Sequence, residues 1–116
     1  MNGQGQYDVI VAGCGPAGIF CALELTSKSD LKVLMVEKGP DLAQRKCFVI
    51  EGKPCANCPE CYLLSGWGGA GAFSDGKLTL STRVGGWLGK YLGERELASL
   101  IKYVDDIYLR LGAPNR

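Results

Sequence analysis

The chain has no histidine among its 116 residues. Proton transfer within it therefore falls to Asp, Glu, Lys, Tyr or Cys, or to a bound cofactor. It has almost no charge excess, since 13 basic and 12 acidic side chains leave a formal net charge of +1. Charges of both signs scattered along the chain exclude an electrostatic surface for nucleic acid. No apolar run reaches the length of a membrane span. An export leader is also missing: Met1 to Gln6 is polar without a basic region, and the apolar run behind it carries Pro16 and three glycines. The expectation is a cytoplasmic protein whose six cysteines are reduced and suited to metal or redox use rather than disulfides.

What the chain does have is a strand, turn and helix in sequence. Tyr7 to Ala12 is apolar and β-branched, Gly13-Cys14-Gly15-Pro16-Ala17-Gly18 follows, and Ile19 to Leu25 is apolar with helical character. Leu31 to Val36 is a second apolar run ending on Glu37, 19 residues after Gly18. This is the dinucleotide-binding fingerprint in the βαβ context it requires, spanning residues 7–37. Gly13 serves a sharp turn, Gly15 admits a diphosphate close to the backbone, and Gly18 lets helix and strand pack closely. Pro16 opens the helix where its missing N–H costs nothing. The helix start offers unpaired N–H groups and partial positive charge to phosphates. Glu37 can accept hydrogen bonds from ribose hydroxyls, and its charge disfavours a 2′-phosphate. The alternative is a structural βαβ unit without a ligand.

The expected elements are strands at 7–12 and 31–36, a helix at 16–27, and a short turn capped by Asp41. Two further short strands are expected, at Phe48–Ile50 and Lys77–Ser81. Leu97, Leu100, Ile101, Val104, Ile107, Tyr108 and Leu111 recur at three- and four-residue steps, which predicts an amphipathic helix over about 94–111 that faces a core. Gly112 and Pro114 stop it.

Cys55, Cys58 and Cys61 form C-x-x-C-x-x-C, with Cys47 eight residues before, in a loop over 47–61. Ferredoxin-type loops share the two-residue gaps, so these four thiols are candidate ligands for zinc or an iron–sulfur cluster. The alternatives are redox-active thiols serving a cofactor, or thiols without special role. Cys14 and Cys21 read as small core residues.

A second glycine-rich stretch, residues 65–77, contains Gly69, Ala70 and Ser74. So many small residues make sense where backbone must approach another body closely. A flat cofactor is one such body, with Ser74 and Lys77 as side-chain donors; a flexible surface loop is the alternative. Together, Tyr7 to Leu25, Val36-Glu37-Lys38-Gly39 and Ser65 to Leu78 resemble the N-terminal region of the FAD-dependent dehydrogenases, a group of NAD(P)/FAD-dependent oxidoreductases. The resemblance implies an incomplete Rossmann-like FAD/NAD(P)-binding α/β domain over 1–116, the N-terminal part of a longer oxidoreductase of unknown substrate and electron partner. It implies FAD at Gly13, Gly15, Gly18 and Glu37 and supports the second stretch, with Gly69, Ala70 and Ser74, as a cofactor wall; Pro16, Ala17 and Lys38 are further candidate cofactor-binding residues, and NAD(P) is a candidate co-substrate. No catalytic residue follows from it. The runner-up is a non-catalytic dinucleotide-binding or electron-transfer module using the cysteines.

Overall fold

The computed structural model describes residues 5–114. The start of the polar tail and the last two residues lie outside the described residues. The chain divides into two compact units, Met1–Gly76 and Lys77–Arg116.

The first unit is built on the βαβ start. β1 (Val9–Ala12) and β2 (Val33–Val36) pair in parallel, from Val9 opposite Val33 to Ala12 opposite Val36. A parallel pair needs a crossover, and α1 (Pro16–Lys28) supplies it. Asp8 fixes the lower end of the ladder: its N–H donates to Lys32 O at 2.9 Å and its carboxylate accepts from Lys32 N at 2.8 Å. Gly13 N–H closes the upper end on Val36 O at 2.8 Å. At the end of α1, the Ser29 hydroxyl donates to Leu25 O at 2.6 Å, satisfying one terminal carbonyl. Both strands begin two residues later than expected, because pairing and not apolar character defines a strand.

Asp41 nucleates the expected turn, its carboxylate accepting from Gln44 N at 3.1 Å. Phe48–Ile50 is a correction, being a turn and not a strand. Ile50 N–H bonds back to Cys47 O and Glu51 N–H to Phe48 O, so three apolar residues satisfy their backbone locally instead of in a sheet. Gly69–Phe73 winds as a 3₁₀ turn.

In the second unit the strand expected at Lys77–Ser81 is likewise absent from the described residues, because no partner strand pairs with it. A 3₁₀ turn at Leu88–Lys90 precedes α2 (Glu94–Arg110). Glu94 and Glu96 sit in the first turn of α2 and Arg110 in the last, as its dipole favours. Leu97 and Ile107 are buried, and Leu97 lies against Gly89. Gly112 ends the helix in the left-handed region, at φ 100°.

Candidate cofactor site

The turn between β1 and α1 is shaped by its glycines. Gly13 stands at φ 97°, a conformation that disfavours any side chain, and the space where its Cβ would sit is open. Gly18 packs its backbone against Gly13 O so closely that a Cβ would collide with that carbonyl. Gly15 caps α1 in an extended conformation, and no side chain caps the helix start. Pro16 begins the helix, and Ala17 beside it is exposed. The first N–H groups of α1 thus sit at a turn clear of bulky side chains.

Glu37 reaches this turn from the end of β2. Its Oε2 accepts from Cys14 N–H at 2.7 Å and its Oε1 from Gly39 N–H at 2.9 Å. Those two bonds, first Cys14 and then Gly39, hold its carboxyl below the ordinary glutamate value against the opposing effect of burial, with help from Gly66 N–H and the Lys38 charge. Each oxygen keeps lone pairs for a second donor. Cys14 is fully buried, and burial, then the Glu37 charge, pushes its thiol up. It is a neutral core thiol and not a nucleophile.

The second glycine stretch lies against this turn. Gly68 N–H donates to Cys14 O at 2.8 Å, and Trp67 N–H to Pro40 O at 3.1 Å. A Cβ on Gly69 would stand 3.2 Å from the Gly15 Cα. The close approach read from the glycine content is therefore made, at least in part, to the first turn itself. Ala70 and Ser74 remain exposed, and the Ser74 hydroxyl accepts from Gly76 N at 3.1 Å. Lys38 is exposed and pairs with Glu60 at 3.2 Å.

The sequence reading missed Arg45. It is 4% exposed, and four backbone carbonyls accept its N–H groups. Nε donates to Tyr62 O, Nη1 to Trp67 O and Gly69 O, and Nη2 to Leu63 O, all at 2.6–2.9 Å. Its guanidinium also lies 4.6 Å from the centre of the Phe73 ring. Arg45 ties the stretch after Cys61 to the glycine-rich stretch that lies against the turn. In sequence it sits in Gln44-Arg45-Lys46, which looks like a solvated charge pair. Burial was the missing signal, and one sequence does not contain it.

Cys47, Cys55, Cys58 and Cys61 are brought to the wall of one cavity of about 240 Å³. Among the described residues, no three Cys, Asp or Glu side chains stand close enough to hold a single metal ion.

Comparison with known proteins adds to this geometry. The family model described as "Lycopene cyclase protein" matches residues 8–82. An uncharacterized protein of Clostridium beijerinckii is 45% identical over 74 residues, covering 60% of this chain and 13% of that protein. Thioredoxin reductases of Listeria monocytogenes and Listeria innocua are each 58% identical over 33 residues, covering 28% of this chain and 10% of theirs. The chain thus spans only about a tenth to an eighth of these curated relatives. No solved structure matches it. At the coarse level the matched region is of the FAD-binding, oxidoreductase type. With the match covering well over half of its length, the chain belongs to the lycopene cyclase protein family.

Proposed function

We infer that this chain is the FAD-binding portion of a longer, dehydrogenase-type oxidoreductase. The carrying observation is the Glu37 carboxylate fixed at the mouth of the Gly13–Gly18 turn, 2.7 Å from Cys14 N. An adenine dinucleotide needs a diphosphate seat and a ribose acceptor side by side. The start of α1 supplies the first through its N–H groups and dipole, with Gly15 and Ala17 beside it. Glu37 supplies the second. Gly69 and Ala70 form the neighbouring wall, Ser74 offers a hydroxyl, and Lys38 adds positive charge near the site. The family match and the thioredoxin reductase segments support a flavin at this site. FAD supplies hydride or electron transfer when bound; the residues described bind and orient it.

The test is cofactor retention. Protein purified without added flavin should carry FAD, seen as absorbance near ~450 nm. Glu37→Gln keeps the shape but loses the charged acceptor, and should weaken FAD binding about ten-fold or more. Full retention by that variant rejects the ribose assignment. Protein that binds NAD and no flavin rejects the FAD reading as a whole.

A further inference from the structure

We propose that the cavity at residues 47–61 binds a four-iron, four-sulfide cluster through Cys47, Cys55, Cys58 and Cys61. All four side chains line the same cavity, which is ~240 Å³ and is shared with Phe48 and Tyr62. None is in a disulfide, although they share one wall; Cys55, Cys58 and Cys61 are exposed and Cys47 is half-buried.

Two features of the loop suit a sulfur-ligated cluster. Asn57 is, among the described residues, the one non-glycine with positive φ, at 50°. That conformation turns its N–H onto Cys55 Sγ, 3.4 Å away. Hydrogen bonds to the ligand sulfurs are among the features that tune such clusters. Lys46 also lines the cavity, where its positive charge offsets the net negative charge of a thiolate-bound cluster.

The ends of the loop are anchored and its middle is not regular. Cys47 O accepts Ile50 N–H, and Cys61 O accepts both Leu64 and Ser65 N–H. Arg45 holds Tyr62 O and Leu63 O from within. Cys47 and Cys61 therefore leave from fixed points, and Cys55 and Cys58 lie on the irregular segment between them.

The four thiols share one cavity wall without being drawn together on a single ion among the described residues, and zinc competes for the same sulfur ligands. A four-iron cube takes one sulfur at each of four separate corners, and two-residue gaps are the spacing ferredoxin-type loops use for three of them. Loading can proceed by ligand exchange. Four cysteine thiols replace the four small thiolates of a preformed cluster, each Sγ–H passing its proton to a departing thiolate. Iron and sulfide keep their oxidation states.

The inference does not rest on the flavin assignment, because its test reads iron and sulfide. The full chain is mixed anaerobically with a synthetic thiolate-ligated four-iron cluster and then desalted. About four iron and four sulfide per chain are expected to remain, with a signal on reduction in electron paramagnetic resonance. Cys58→Ser and Cys55→Ser, both on exposed loop positions, should fall to background uptake with an unchanged helical circular dichroism spectrum. Cys21→Ser on α1 should load like the parent. Equal uptake by all three variants overturns the proposal, as adventitious thiol binding. So does a folded chain that retains no iron, or one that takes a single zinc ion and no sulfide.

Discussion

Arg45 carries more of the site's architecture than any single residue of the two glycine stretches. A buried guanidinium without a carboxylate partner is costly unless its donors are met. Here four carbonyls meet them, and the planar fork is what lets one side chain reach all four. Lysine carries the charge but not the fork. Arg45→Lys offers three N–H groups for four carbonyls and should therefore leave at least one of them without a donor, at about 1–3 kcal/mol for each buried group stranded. The expected outcome is a urea midpoint lowered by a clear margin and flavin retained less well, since the Gly69 stretch loses its anchor. An unchanged midpoint would show that water replaces the guanidinium without loss. Nothing in the sequence marks Arg45, for a lone arginine between Gln44 and Lys46 reads as solvated. Glu37 was legible because its spacing from Gly18 is set by the length of a helix and a strand, which the fold fixes.

Among the elements, those whose backbone bonds are internal or between sequence neighbours were legible. α1 and α2 end within one residue of the helices expected at 16–27 and 94–111, because their periodicity and stop signals are local. Phe48–Ile50 and Lys77–Ser81 have strand-like composition but no ladder partner among the described residues, and a strand is a property of a pair. The junction of β1, α1 and β2 depends on a charge, which makes it sensitive to pH. Glu37 is held below its ordinary value of 4.5 by accepting Cys14 and Gly39 N–H bonds. Folding keeps it ionised at a pH where the unfolded chain would protonate it. Its contribution is therefore present above that ordinary value and is lost as pH falls through the lower folded value. In NMR, the Cys14 and Gly39 amide shifts should titrate together, with one midpoint below that ordinary glutamate value. In Glu37→Gln neither should show that titration. A midpoint at or above the free value would mean that these bonds do not favour the ionised carboxylate.

On the scale of the molecule, apolar surface outruns the cover available for it. Among the described residues, buried apolar side chains are confined to Cys14, Ala22, Leu97 and Ile107. Ile10 on β1 is 65% exposed and Trp87 in the second unit 70%. An apolar cleft of about 350 Å³ opens between α1 and β2, lined by Ile19, Leu23, Val33, Met35 and Trp67 among others. Parallel strands are normally covered on both faces, so a two-stranded parallel sheet with such faces gains little of the burial that makes unfolding cooperative. Stability here leans on the internal bonds of α2 and on a few polar cross-links, those of Arg45 and Glu37, and not on a shared apolar core. The 116-residue chain on its own should therefore unfold in urea with a slope at or below the low end of the ~1–3 kcal/mol/M usual for small domains. In a Trp87→Phe chain the remaining tryptophan, Trp67, lies in the first unit, so its fluorescence and the circular dichroism to which α2 of the second unit contributes should give midpoints that do not coincide. Superimposable curves with a steep slope would show instead that the two units melt as one body and that the exposed apolar faces do not limit its cooperativity.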